Sequence, residues 1–367
     1  MRNPRYAALV PVLVVSLALA PAAPTSDSAG RVATPHQPAV RVLLLHDMEG
    51  VSGVDNSQML SDDSPDQFAA GRRSLLADVN AVIAGLFDGG ATSVDVKNTH
   101  GGCDDLSCVH PGQVDARSRI LVGEGPLDPY AQLADRGVWD VVVAVGMHDK
   151  PLSGGFAPHT FSPGISPVIN GKTLTETEIL GYSFGTVGVP VIFVSGDDRL
   201  KRDLVASMPW IEYVVVKRAT GSNSAELLPP EIVTAMLREG AKQALQKRSR
   251  ASAMVLPPSF DAGLLPSFPM VLPAELPGVK HLGDTVTFTA HSYREAYDGI
   301  KALQAAAGTY FGRCPYCRFI ADRPEFQAAV RQAWDSLDAQ SRAFEEGRWT
   351  PPRRPAPART GRYHRVP

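Results

Sequence analysis

The sequence predicts an α/β protein: a doubly wound, mostly parallel sheet flanked by helices, followed by a smaller C-terminal α+β domain. Three observations carry this expectation. Strand-like apolar runs alternate with helix-like stretches, the pattern of a parallel sheet covered by helices. The strand runs are continuously apolar, as expected of strands buried on both faces. Several of them stop at a side chain able to bind a metal, and an open parallel sheet gathers such side chains in the crevice beyond the carboxyl ends of its strands.

Residues 1–22 carry Arg2 and Arg5, then AALVPVLVVSLALA, then the small residues Ala20 to Ala22, and read as a signal peptide. The apolar run is shorter than the ~20 residues a spanning helix needs, and Pro11 interrupts it. The mature protein is therefore expected to be secreted or otherwise extracytoplasmic, with no membrane association after cleavage. A flexible Pro/Ser/Ala linker is expected over 23–39.

The main domain is expected over 40–250 and opens with the strand RVLLLH. Over 66–87, Phe68, Leu75, Leu76, Val79, Ile83 and Leu86 recur at helical spacing, and Gly89 and Gly90 follow to end the helix. Strands TSVDVKN, SRILVG, DVVVAVG, PVIFVSG and WIEYVVVK come next in order, with helices expected over 126–136, 172–186 and 230–247. A Pro-rich stretch leads to the alternating strand DTVTFTA and a capping box at Ser292 and Glu295, which starts a helix. These elements form the smaller domain, expected over 251–325. A helical extension over 326–349 and a disordered, basic, Pro/Arg-rich tail over 350–367 complete the chain.

With 44% hydrophobic and 20% charged residues, the chain has enough apolar content for a full core. A net charge of -2 gives no reason to expect nucleic acid as a partner, so a small molecule is the expected ligand. The four cysteines fall in two close pairs, Cys103 with Cys108 and Cys314 with Cys317. Export favours two local disulfides, and a structural zinc on four thiolates is the second reading.

The chemistry lies at the strand ends. Asp47 and Glu49 in H-D-M-E-G are two positions apart, so strand periodicity turns both to one side. His100 in N-T-H-G-G and His148 in G-M-H-D each follow an apolar strand, and Glu176 opens a helical stretch, with Glu178 as its competitor. Any one of these alone reads as a cap or an exposed polar group. Together they offer imidazole nitrogen and carboxylate oxygen, a donor set that suits zinc, or manganese or cobalt, better than calcium. Five ligands exceed what one tetrahedral zinc accepts beside a reactive water, so a paired site with Asp47 as the bridge is expected. His159, eleven positions after His148, is expected to act as general acid/base or oxyanion stabiliser, or else as a sixth ligand or a substrate-orienting group. In G-D-D-R, Asp197 and Asp198 are expected near the crevice, either as hydrogen-bond partners of the ligating histidines or as caps of the following helix, with capping the safer reading of Asp198.

At these residues the chain resembles the DppA-type D-aminopeptidases. The similarity runs from about Val40 to Gly308, and its motifs appear in order: D-M-E-G-x-S-G at Asp47 to Gly53, x-H-G at His100, and G-x-H at His148 with a histidine eleven further on. I-N-G-x-x-x-x-E then runs from Ile169 to Glu176, and V-P-V-x-x-V-x-G-D-D-R from Val189 to Arg199. The resemblance implies two zinc ions held by Asp47, Glu49, His100, His148 and Glu176, with His159 catalytic, and its spacing favours Glu176 over Glu178. It also implies removal of N-terminal D-residues, notably D-alanine, from short peptides, and assembly into a homo-oligomer, a ring-shaped decamer. The alternatives are a related amidohydrolase acting on a non-peptide amide, an inactive secreted metal- or wall-binding module, and a thiol oxidoreductase working through C-P-Y-C.

Overall fold

The structure, a computed structural model, describes residues 39–60, 62, 64–102, 108–122, 130–161, 165–266, 278–282 and 285–306. The expected signal peptide, linker, helical extension and basic tail, and C-P-Y-C, lie outside the described residues.

Strands β1 (Arg41–His46), β2 (Ser93–Asn98), β3 (Ser118–Ile120), β4 (Val141–Met147), β7 (Val191–Asp197), β8 (Glu212–Gly221) and β9 (Ser224–Leu227) form one sheet in the order β3-β2-β1-β4-β7-β8-β9. All neighbours pair in parallel except β8 with β9. This is the expected α/β architecture. Chain order reverses about β1, which has β2 on one side and β4 on the other, so the switch point of the sheet is the β1/β4 crevice.

Alternation explains why these runs are apolar throughout. Leu43 and Leu45 of β1 join one core with Val142 and Ala144 of β4, while Val42 and Leu44 join the other with Val141 and Val143. Truncating Leu44, which has no exposed surface, removes contacts on a closed face at a cost of about 2–5 kcal/mol. Helices α1 (Pro65–Asp88) and α4 (Pro230–Gln246) cover the second face, contributing Leu75, Val79, Leu237 and Ala241. Helices α2 (Glu176–Gly185) and α3 (Asp198–Ser207) cover the first through Leu180 and Leu204.

A second, antiparallel sheet has the order β11-β12-β10-β5-β6, with β5 (Ile165–Ile169), β6 (Lys172–Thr173), β10 (Phe260–Pro266), β11 (Lys280–Leu282) and β12 (Thr285–Ala290). Helix α5 (Tyr293–Ala306) packs on it. A boundary at residue 250 therefore does not divide the two sheets, because β5 leaves the middle of the first segment to pair with β10, and β6 pairs with β5. The expected helix over 172–186 begins four residues late for the same reason: Lys172 and Thr173 are paired in β6. Of the helix expected over 126–136, the described part contains one short 3-10 turn at Ala134–Arg136.

Candidate metal centre

The β1 exit is built by close backbone approach. Asp47 N–H donates to Val145 O at 2.8 Å and Gly50 N–H to Gly146 O at 2.7 Å, which ties the D-M-E-G turn to the end of β4. A Cβ at Gly50 would lie 2.0 Å from Met147 O, so no other residue permits this approach. Gly146, at φ +73, faces Asp47 O from the other strand, where a Cβ would come within 2.5 Å. Asp47 and Glu49 are thereby held buried beside His148.

Each histidine is oriented by a backbone carbonyl. His100 Nε2 lies 2.8 Å from Leu60 O and donates to it, and Nδ1 lies within hydrogen-bond distance of Asp47 Oδ1 and Glu49 Oε2, both at 3.1 Å. Asn98 braces this turn from both sides, accepting from His100 N–H and donating to His100 O. His148 Nδ1 lies 3.0 Å from Asp149 O, which leaves Nε2 facing Asp47 Oδ2 and Glu176 Oε1, each at 3.7 Å. That Nε2 is buried and has no hydrogen-bond partner. His159 Nδ1 lies 2.9 Å from Ala157 O; its ring stacks on His148 at 4.0 Å between centroids, and its Nε2 is 4.0 Å from Glu49 Oε1.

Glu176 arrives by a different route. Asn170 (φ 47) and Gly171 (φ 77) make the two-residue turn between β5 and β6, the left-handed pair that a tight hairpin requires. Thr175 then caps α2 in a capping box with Glu178, whose carboxylate also takes Lys172 Nζ at 2.5 Å. Glu178 is thus committed to the cap, and Glu176 reaches the cluster. Its Oε1 accepts from Phe161 N–H at 2.7 Å, and its Oε2 accepts from the Tyr130 hydroxyl.

All six residues expected at the site are therefore brought together. Three sets of donor atoms converge: Asp47, Glu49 and His100; Asp47, His148 and Glu176; and Glu49, His148 and His159, with the atoms of each set within 4.8 Å of one another. Asp47 belongs to two sets through different oxygens. The electrostatics are those of negative charge confined away from water. Burial, and then Glu49, push the Asp47 carboxyl up to about 7. Burial opposes charge on His148, but Glu176, Glu49 and Asp47 outweigh it and raise the ring to about 9. His100 is raised well above its ordinary value in the same way by Glu49 and Asp47, against burial. His159 moves the other way, lowered by burial and then by His148. The cluster attracts positive charge, and its nitrogen and carboxylate donors, with one buried imidazole nitrogen unpartnered, fit a transition-metal cation.

Two expectations change. Asp197, not Asp198, caps α3, accepting from Arg199 and Leu200 N–H at 2.9 Å and from Phe156 N–H at 2.8 Å; Asp198 accepts from Ala219 N–H instead. Cys108 is held in a disulfide, which removes one thiolate from the four-cysteine zinc reading.

The sequence reading did not single out Lys217 or Tyr130. Lys217 is fully buried on β8 and donates to Glu49 O at 2.5 Å and Val54 O at 2.6 Å, with Nζ 4.1 Å from the Phe156 ring centre. A lysine ending an apolar strand was the available signal, since few charged groups are buried without a task.

A protein-family model described as D-aminopeptidase, peptidase M55, matches residues 40–302. A D-aminopeptidase of Bacillus subtilis (strain 168) is 26% identical over 274 residues, covering 71% of this chain and 95% of that protein. The solved structure described as the Zn-dependent D-aminopeptidase DppA from Bacillus subtilis, a self-compartmentalizing protease, superposes with a TM-score of 0.63 at 21% identity, over 72% of this chain and 97% of that one. That likeness shows the same fold. By the family match, the chain belongs to the D-aminopeptidases of peptidase family M55 and is a metallopeptidase hydrolase.

Proposed function

We propose that this protein is an exported aminopeptidase with two zinc ions that removes N-terminal D-residues of the D-alanine type from short peptides. The observation that carries the two-ion reading is Asp47, whose Oδ1 faces His100 and whose Oδ2 faces His148. One carboxylate serving two donor sets supports a shared ligand for two ions. Glu49 and His100 would complete one position, and His148 and Glu176 the other; manganese or cobalt suits the same donors. The description of the solved relative as zinc-dependent supports zinc as the metal.

Bound zinc supplies an acidified water and polarises the scissile carbonyl. The chain's own residues do the rest. His159, with Nδ1 fixed on Ala157 O and Nε2 turned to the cluster, takes a proton at Nε2 and returns it to the leaving amine. Stacking on His148 fixes the plane of its ring. Phe161 N–H holds Glu176 Oε1, which keeps that carboxylate in place when substrate enters, and Lys217 holds the backbone carbonyl of Glu49 and so the turn that carries it.

The apolar N-terminal segment supports export, and the self-compartmentalizing relative supports a homo-oligomer, proposed here as a ring-shaped decamer. No described helix is long and apolar enough to cross a membrane. A panel of D-Ala-D-Ala, its L counterpart and simple amides, run on protein of measured metal content, tests the substrate reading. Turnover of the D-peptide at least tenfold above the others supports it, and equal turnover of D- and L-peptides overturns it. Sedimentation of the same sample reads the assembly, and the N-terminal residue of protein recovered from the medium reads the export.

A further inference from the structure

The Tyr130 hydroxyl donates to Glu176 Oε2, and Tyr130's own carbonyl accepts from the Tyr293 hydroxyl at 2.5 Å. Tyr293 opens α5, the helix that packs on the antiparallel sheet, whereas His148 and Asp47 stand at the edge of the parallel one. Both tyrosines are buried. Phe161 lies between the same elements, edge-on to Tyr130 at 5.1 Å and to Tyr297 of α5 at 6.0 Å. Its backbone is in the left-handed region at φ 62, a conformation a bulky residue adopts only when its surroundings hold it, and from there its N–H reaches Glu176 Oε1.

The last torsion of a glutamate is broad, so a carboxylate reaching into a cluster does not fix its own plane. Here both oxygens are engaged, one by Tyr130 and one by Phe161, and Oε1 keeps a lone pair for the space in front of His148 Nε2. We propose that Tyr130 is a positioning residue for Glu176, and that Tyr293 of α5 seats Tyr130, so that the antiparallel sheet module tunes the affinity of the His148 and Glu176 half of the metal centre. The inference rests on the metal reading given above. It assigns the C-terminal module a part in the site although the module supplies no ligand.

The test uses the full chain, with zinc affinity measured by competition against a chromophoric chelator and the visible spectrum of the cobalt(II)-loaded protein as a second readout. Y130F removes one oxygen and keeps the ring contacts. It is expected to weaken one of the zinc sites about tenfold and to shift the cobalt bands, with the melting temperature of the metal-free protein little changed. Y293F is expected to weaken the same site by a smaller factor, and Y130F/Y293F to bind as Y130F does, because Tyr293 acts through the Tyr130 hydroxyl. An affinity for Y130F within twofold of wild type with an unmoved cobalt spectrum overturns the inference, as does a double variant that loses the full product of the two single effects. Should the wild-type chain itself bind no zinc, the metal reading fails instead, and the two failures are distinct.

Discussion

In one half of the cluster His100 lies 3.1 Å from both Asp47 and Glu49, whereas in the other His148 stands 3.7 Å from Asp47 and Glu176 and bonds neither. The first half is made by neighbouring strand ends of one sheet, whose carboxylates close directly on the imidazole. In the second half the carboxylate already has its hydrogen bonds, from Tyr130 and Phe161, and the imidazole is held back by Asp149 O. A shared residue thus joins a half that neutralises itself by internal ion pairing to one kept open by outside supports. Support from a second layer of residues, more than the ligands themselves, distinguishes the two.

The harshest way to break this comparison is Asp47→Ala, which removes the side chain common to both halves. Turnover should fall roughly a thousandfold or more, since the metal supplies several kcal/mol of barrier lowering, and bound zinc should fall with it. Next is His159→Gln, which leaves both halves their carboxylates. It should lower kcat about 10²–10⁴-fold with zinc content retained. The wild-type pH profile sharpens the point. The proposed role of His159 requires its neutral form, and burial followed by His148 lowers its pKa, so protonation comes at lower pH than for an ordinary histidine. The acidic limb of kcat/KM should therefore lie below about 6.5, and its slope should shrink in the glutamine variant. The mildest is Lys217→Met, which loosens only the Glu49 side: zinc affinity at that position should drop about tenfold while the other is unchanged, as read by chelator competition.

Much of this was legible in the residues. The apolar runs that read as strands are strands, because burial on both faces leaves an unbroken apolar signature. The convergence of the candidate ligands was legible because each sits at a strand or helix boundary, where chain order alone predicts it. The strands β5 and β6 were not, since the first contains Pro167 and is specified by pairing with β10, far along the chain, and the second is two residues long and specified by pairing with β5. The choice between Glu176 and Glu178 rested on the resemblance, while the local signal, the spacing of Thr175 and Glu178 that marks a capping box, went unread. The contacts of Lys217 and Tyr130 were not legible: a lysine at the end of an apolar run marks itself, but the partners Glu49 and Glu176 are distant in the chain and no local period or motif announces the pairing.

Zinc bound per chain, measured by equilibrium dialysis and elemental analysis on the wild-type protein and on Asp47→Ala, tests the shared-carboxylate geometry most directly. Two ions per wild-type chain and near-complete loss of both in the variant are expected. One ion per wild-type chain, or two retained without Asp47, would contradict it.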